Sequence, residues 1–209
     1  EIADGAKRLR FAGVISTYAT IEEMWLFKKL MDALKAEHTG FLTLVRGQRQ
    51  KFPGGFVIEP DKTPNSAYAT RLFGDTALIP GHQKVVAELH AGTIDALVVM
   101  NGIPDFPMPP ELVEAAKKAK FLAVCDLLQN PLADFAHVVI SGTAWAEKEG
   151  TFMNVDGRIQ RVRKAIEPPA GLHPEVRWLQ EALGVPAPVS AEGVFKQAAK
   201  EVPALAGLE

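Results

Sequence analysis

Five short apolar runs, separated by segments of helix length, constrain the fold of this chain most strongly. In chain order they cover residues 11–15, 41–45, 96–100, 121–125 and 136–140. Strands that are apolar on both faces are typical of parallel sheets with helices packed on each side. Connections between such strands are right-handed, which places helices on both faces. The pattern predicts an α/β fold with a doubly wound, mainly parallel, Rossmann-like sheet.

The segments between the runs carry helix and hairpin signals. Thr20 and Glu23 have the spacing of a capping box, which predicts a helix from Ile21 that ends at Gly40. Further helices are predicted at residues 82–91, 111–118, 174–183 and 190–202 from their apolar period. Asp156-Gly157, between residues 151–155 and 158–162, predicts a C-terminal hairpin.

The pattern divides the chain into two parts. We expect residues 1–165 to form the α/β domain and residues 166–209, which follow Pro168-Pro169, to form a helical extension. Residues 46–80 are rich in glycine and proline and predict a long irregular loop with at most short helices near residues 66–73. The chain opens with Glu1 and closes with Leu208-Glu209, so we expect a segment of a longer protein.

Charge, hydropathy and cysteine content exclude several classes of function. A net charge of −2 argues against a nucleic-acid partner, which usually requires a basic face. No run approaches 18 apolar residues, so we expect no direct membrane insertion. The single cysteine, Cys125, excludes an internal disulfide and an all-cysteine iron–sulfur site within this chain. Its apolar surroundings predict a packed, unreactive thiol.

Motif spacing gives no catalytic or metal site. The chain has no Gly-x-Ser-x-Gly, no Gly-x-Gly-x-x-Gly and no phosphate-binding loop. The five histidines lack metal-ligand spacing, so no metal site is expected. Asp126 and the pair Asn101-Gly102 each follow a predicted strand, where parallel sheets bind ligands. They are candidate binding residues, with turn formation or helix capping as the alternative.

A dense polar cluster covers residues 147–160, Glu-Lys-Glu-Gly-Thr-Phe-Met-Asn-Val-Asp-Gly-Arg-Ile-Gln. Gly150 permits close backbone approach, and Thr151 and Asn154 can bond loop backbone. Arg158 could hold a carboxylate or phosphate through two hydrogen bonds. These four residues complete the set of candidates.

The same cluster resembles a signature of the molybdopterin oxidoreductase superfamily. The apolar run that ends in Asp126, the run at residues 136–140 and the helix at residues 19–34 resemble family segments as well. One branch contains molybdenum or tungsten enzymes, such as formate dehydrogenases, which bind pterin guanine dinucleotides. The other is the large iron–sulfur subunit of respiratory NADH:quinone oxidoreductases (complex I), which generally lacks that cofactor.

Departures from the family pattern favour the second branch. The Gly-x-Asn-Pro loop of the family reads Met100-Asn101-Gly102-Ile103-Pro104 here. His137 replaces an aspartate of the family pattern, and Ser141 replaces a proline. Residues 129–131 read Gln-Asn-Pro where the family has Thr-Glu-Thr. The resemblance therefore implies that the candidate residues are vestiges of a cofactor site, and that molybdopterin is absent.

The resemblance implies a structural and assembly domain with no catalysis of its own, in a parent oxidoreductase that carries its iron–sulfur clusters elsewhere. Its partners would be other subunits of a membrane-associated respiratory complex. It would lie on the cytoplasmic side of the inner membrane. One alternative is the pterin-binding domain of a molybdenum oxidoreductase such as a formate dehydrogenase, and a weaker one is a free-standing nucleotide-binding domain.

Overall fold

The computed structural model describes residues 9–74, 81–104, 107–186 and 188–208. From the N-terminus, its strands and helices are β1 (Phe11–Ser16), α1 (Ile21–Ala33), β2 (His38–Leu42), β3 (Gln50–Lys51), β4 (Val57–Ile58), α2 (Ser66–Phe73), α3 (Gln83–Ala91), β5 (Ala96–Met100), α4 (Pro110–Ala116), β6 (Phe121–Asp126), β7 (Val138–Ser141), β8 (Gly150–Met153), β9 (Ile159–Val162), α5 (Glu175–Ala182) and α6 (Ala191–Glu201).

The central sheet has the strand order β2-β1-β5-β6-β7, and all neighbouring strands are parallel. Alternate residues of these strands face two separate apolar cores. Phe11 and Ile15 of β1 face the core beneath α1, α2, α5 and α6, while Val14 faces the core beneath α3 and α4. The predicted doubly wound α/β fold is confirmed.

The start of α1 agrees with the sequence, whereas its end does not. The capping box forms in both directions: Glu23 N donates to Thr20 Oγ1 over 3.2 Å, and Thr20 N donates to Glu23 Oε2 over 2.8 Å. The helix stops at Ala33, and Lys35 takes a positive φ of 53°. The prediction that the helix extends to Gly40 was wrong.

Gly40 instead lies in β2, where a close approach requires glycine. A Cβ at this position would lie 2.1 Å from the carbonyl oxygen of Gly81. β2 pairs His38 with Ala12 and ends at Leu42, three residues earlier than the predicted run at residues 41–45. Pairing with β1 therefore sets the position of β2, rather than the most apolar stretch of sequence.

The predicted irregular loop at residues 46–80 is partly ordered. α2 occupies the predicted helical segment at residues 66–73. β3 and β4 form an antiparallel hairpin that the sequence did not indicate, because strands of two residues show no alternating pattern. Gly54 and Gly55 close its turn with φ of +87° and +89°. Residues 75–80 of this segment lie outside the described residues.

The C-terminal elements pack onto α1. β8 and β9 form the predicted hairpin, and α5 and α6 cover α1 with Val176, Leu179 and Val194 in the same apolar core as Phe27. In the described part of the chain, no helix combines the length and apolar character needed to cross a bilayer.

Candidate functional site

The carboxyl ends of three adjacent strands form a crevice. β1 ends at Ser16, β5 at Met100 and β6 at Asp126, and parallel strands of this kind bind ligands at this edge. A cavity of about 430 Å³ lies there. Its lining residues are Arg46, Asn101, Ile103, Pro107, Asp126, Leu128, Gln129 and Asn130. The fold therefore brings three of the predicted candidates, Asn101, Gly102 and Asp126, to one place.

The carboxylate of Asp126 accepts four hydrogen bonds from its own chain. Oδ1 accepts from the backbone nitrogens of Gly102, over 3.0 Å, and Leu127, over 2.7 Å. Oδ2 accepts from the side-chain nitrogens of Asn101, over 3.0 Å, and Asn130, over 2.5 Å. A carboxylate offers about four lone-pair positions. All of the acceptor positions of Asp126 are therefore engaged within the chain.

Asn101 has one buried acceptor without a partner. Its side chain is buried, and its Nδ2 faces Asp126, so its Oδ1 points away and accepts no hydrogen bond from any described residue. Its backbone carbonyl accepts from the Ser16 hydroxyl over 2.5 Å. Gly102 has a φ of +80°, which a side chain would disfavour. The tight turn at Gly102 aims its N–H at Asp126.

The other four candidates lie on the β8–β9 hairpin, away from the lining of this crevice. Thr151 bonds Glu22 of α1: its backbone N donates to Oε2 over 2.9 Å and its hydroxyl donates to Oε1 over 2.7 Å. A Cβ on Gly150 would lie 2.3 Å from Cγ2 of Thr20. These two positions hold the hairpin against the first turn of α1.

Asn154 shapes the turn of the hairpin. Its Oδ1 accepts from the backbone nitrogens of Asp156, over 3.1 Å, and Arg158, over 2.8 Å. Gly157 supplies the positive φ of 81° that the turn requires. The side chain of Arg158 is exposed. The polar cluster at residues 147–160 is thus largely bonded within the chain.

A buried ion cluster lies beside the hairpin. The ammonium of Lys148 lies 2.8 Å from Glu23 Oε1 and 3.1 Å from Glu175 Oε1. Glu175 also accepts from the backbone N of Thr143 over 3.1 Å and from its hydroxyl over 2.7 Å. One cation thus joins α1 to α5, and two buried carboxylates share its charge.

Burial sets the protonation behaviour of these groups. Burial raises the pKa of Glu22 to about 7, although the hydrogen bonds from Thr151 oppose the shift. Burial also raises the pKa of Glu23, and the charge of Lys148 only partly offsets this effect. Burial alone would lower the pKa of Lys148, but the carboxylates of Glu23 and Glu175 outweigh it and raise the pKa above its usual range.

Cys125 and His137, the other potentially reactive side chains considered, lie in surroundings typical of structural residues. Cys125 is buried in β6, and burial raises the pKa of its thiol well above the ordinary value. The ring nitrogen Nδ1 of His137 accepts from the backbone N of Leu122 over 3.1 Å. Among the described residues, no group of three histidine, cysteine or carboxylate side chains is arranged to hold a metal ion.

Several residues important in these two regions were not predicted from the sequence. Glu22 accepts from the candidate Thr151, and Asn130 donates to the candidate Asp126. Glu175 accepts from Thr143 and pairs with Lys148. Asn130 follows Asp126 by four residues, so its spacing could have suggested contact. Glu22 and Thr151 are separated by 129 positions, and no local pattern indicates that pair.

Comparison with known proteins gives one family match. Residues 75–178 match the molybdopterin oxidoreductase family. An F420-dependent formate dehydrogenase 2 subunit alpha of Methanococcus maripaludis is 38% identical over 101 residues, which cover 46% of this chain and 15% of that protein. A nitrate reductase of Symbiobacterium thermophilum is 35% identical over 89 residues, covering 42% and 12%.

A subunit of the NADH-quinone oxidoreductase of Shigella flexneri is 31% identical over 87 residues, covering 41% of this chain and 10% of that protein. The matched segments span 10–15% of the lengths of these three relatives. The family match includes β5, β6 and β7, the crevice residues Asn101 and Asp126, and the hairpin. About half of the chain, residues 75–178, therefore matches the molybdopterin oxidoreductase family.

Proposed function

We propose that this chain is a structural and assembly domain of a multisubunit electron-transfer oxidoreductase, as part of the large iron–sulfur subunit of an NADH-quinone oxidoreductase. The domain does not carry out the redox chemistry itself. It braces the parent protein, whose iron–sulfur clusters lie outside this chain, and contacts other subunits. The saturated carboxylate of Asp126 is the observation that carries the proposal.

The family implies a pterin guanine dinucleotide at the carboxyl edge of such a sheet, and the residues of the crevice do not fit it. A guanine base would offer paired N–H donors to a carboxylate, which requires two free acceptor positions. Asp126 already accepts four hydrogen bonds, and the N–H of Gly102 is directed to Asp126 rather than outward. Asn101 Oδ1 accepts no hydrogen bond from a described residue, but the atom is buried and is not presented to an incoming base.

The β8–β9 hairpin supports the same role. Gly150 and Thr151 contact Thr20 and Glu22 of α1, and Asn154 bonds its own turn. These contacts stabilise the hairpin against the domain. Gly150, Thr151 and Asn154 are therefore not directed at an incoming cofactor. The segment at residues 147–160 therefore has a structural role, because it holds the β8–β9 hairpin against α1.

A second candidate function is the pterin-binding domain of a molybdenum oxidoreductase such as a formate dehydrogenase. Sequence identity favours it: the F420-dependent formate dehydrogenase subunits are 38% and 37% identical to this chain, against 31% for the NADH-quinone oxidoreductase subunit. In that case the hydrogen bonds from Asn130 and Gly102 to the Asp126 carboxylate would have to break before the cofactor enters.

Elemental and pterin analysis of the complete oxidoreductase separates the two candidates. The protein is purified from its own host, and molybdenum, tungsten and iron are measured per chain beside the fluorescence of oxidised pterin. We expect iron without stoichiometric molybdenum, tungsten or pterin. A content of one molybdenum or tungsten per chain, together with pterin, would contradict the structural role and support the enzymatic one.

A further inference from the structure

A hairpin in the predicted loop region exposes two aromatic side chains. We name residues 44–62, which contain β3 and β4, the aromatic ribbon. Phe52 is 43% exposed and Phe56 is 63% exposed, and their ring centroids lie 5.7 Å apart. Val45 and Ile58 of the same ribbon are also exposed. Clustered exposed apolar side chains of this kind mark interaction surfaces.

The ribbon is held in one conformation by backbone hydrogen bonds along its length. Lys62 N donates to Leu44 O over 2.8 Å, Arg46 N donates to Pro60 O over 2.9 Å, and Phe52 N donates to Phe56 O over 2.8 Å. At its base, the Thr17 hydroxyl donates to that of Thr63 over 2.7 Å. A surface ordered before binding loses less conformational freedom when a partner docks.

The charge of the ribbon is opposite to that of the chain. It contains four basic residues and two acidic ones, while the whole chain has a net charge of −2. Strand alternation places Phe52, Phe56 and Ile58 on one face and Arg49 and Lys51 on the other. Lys51 forms no ion pair with any residue that the structure describes.

We infer that the aromatic ribbon is the docking surface for another protein subunit. That subunit forms a cleft that receives both faces of the ribbon. One wall is an apolar depression for the rings of Phe52 and Phe56, and the opposite wall carries an aspartate or glutamate carboxylate that faces Lys51. Buried aromatic anchors and complementary charges are the features that give such contacts affinity and orientation. The inference rests on the proposed role of the chain as one subunit among several.

Two other occupants fit the ribbon less well. A second copy of this chain, docked ribbon to ribbon, would bring like charges together. An anionic membrane surface attracts clusters of about 4–8 uncompensated basic residues. In the ribbon, Arg49 already pairs with Glu59 over 2.8 Å, and Lys62 bonds the Glu59 carbonyl. Lys51, which has no ion-pair partner among the described residues, suits a single carboxylate of a protein.

The first test removes the aromatic rings in the complete oxidoreductase. The tagged protein carries Phe52→Ser and Phe56→Ser together, and the subunits that copurify are identified and quantified by mass spectrometry. Val155→Ser is the matched control, because Val155 is 76% exposed at the turn of the other hairpin. We expect at least a tenfold loss of one identified subunit from the double variant and no loss from the control.

The second test detects the contact between the Lys51 amine and a carboxylate of the partner by chemical crosslinking. A carbodiimide joins a lysine amine to a carboxylate only where the two are in contact, and the crosslinked peptides are sequenced. We expect a bond between Lys51 and an aspartate or glutamate of the same subunit that the double variant loses. Lys51→Gln should remove this crosslink. Crosslinks of Lys51 only within its own chain, or none, would overturn the inference.

The outcomes separate this inference from the proposed function. If the wild-type protein copurifies with no other subunit, the proposed structural role fails together with the docking surface. If the subunits copurify equally with wild type and double variant, only the docking surface fails. Sedimentation with vesicles of phosphatidylcholine and phosphatidylglycerol is run in parallel. Vesicle binding that requires Phe52 and Phe56 would assign the ribbon to a lipid surface instead.

Discussion

Glu22 at the start of α1 holds Thr151 of β8 by two hydrogen bonds, 2.9 Å to the backbone nitrogen and 2.7 Å to the hydroxyl. The contact joins residues 129 positions apart and fixes the family-signature hairpin to the sheet domain. Burial raises the pKa of Glu22 to about 7. The same carboxyl group therefore links the position of the hairpin to pH.

Glu22 makes the free energy of unfolding depend on pH in a defined window. Its pKa in the folded protein, about 7, lies above the value of about 4.3 in an unfolded chain. The folded state therefore binds the proton more tightly, and this contribution is complete below about pH 4. It is lost as pH rises to about 7 and beyond, and amounts to roughly 4 kcal/mol.

Glu22→Gln tests this dependence, because glutamine can accept from Thr151 N and donate to the Thr151 hydroxyl without a charge. We expect the variant to match wild type near pH 5 and to exceed its stability near pH 8, measured by urea unfolding. Glu114→Gln, on the exposed face of α4, is the control and should show no such divergence. Parallel curves for Glu22→Gln and wild type would contradict the prediction.

Lys148→Met tests the buried ion cluster. The substitution leaves Glu23 and Glu175 buried without their shared cation, and breaking a buried ion pair in this way costs about 3–5 kcal/mol. The loss should appear as a lower urea midpoint. Adding Glu175→Gln should recover part of it. Lys164→Met, at an exposed pair with Glu167, should change stability by less than about 1 kcal/mol.

Gly150→Ala tests the close contact between the hairpin and α1. The added methyl group would lie 2.3 Å from Cγ2 of Thr20, and overpacking of this kind costs about 1–3 kcal/mol. Thr20→Ser removes that methyl group and keeps the hydroxyl that caps α1. In a thermal-denaturation cycle, we expect the cost of Gly150→Ala to shrink in the Thr20→Ser background. An equal cost in both backgrounds would show that the two residues do not touch.

Asp126→Asn tests the hydrogen bonds that fill the crevice. An asparagine amide would face donors such as Asn101 Nδ2 and Asn130 Nδ2, and leaving buried donors unpaired costs about 1–3 kcal/mol. We expect a lower free energy of unfolding in urea. Asp134→Asn, whose carboxylate bonds only the side chain of Gln129 among the described residues, should have little effect. Equal stability of Asp126→Asn and wild type would show that the four bonds are not formed in solution.

Local patterns predicted the elements whose signals are complete within a short stretch. The apolar runs of β5 and β6, the capping box of Thr20 and Glu23, and the Asp156-Gly157 turn all lie where the sequence indicated. Each depends on neighbouring residues alone. Contacts with distant parts of the chain can stabilise such elements without changing their positions.

The features that depend on distant contacts were missed. Pairing with β1 sets the position of β2. The sequence predicts a helix end at Gly40, whereas Gly40 lies in β2 and accommodates the Gly81 carbonyl. The predicted candidates grouped Thr151 with Asp126, yet Thr151 bonds Glu22 and lies outside the lining of the crevice. Partners on remote segments cannot be derived from the spacing of a motif.

The closed state of the crevice is tested most directly by titrating the isotopically labelled chain with guanosine monophosphate and following the backbone amide resonance of Gly102. Because that N–H is bound to Asp126, we expect no saturable shift with a dissociation constant below about 100 µM, which corresponds to about −5.5 kcal/mol. A saturable shift of Gly102 with tighter binding, lost in Asp126→Asn, would contradict the structural role and favour a cofactor-binding enzyme.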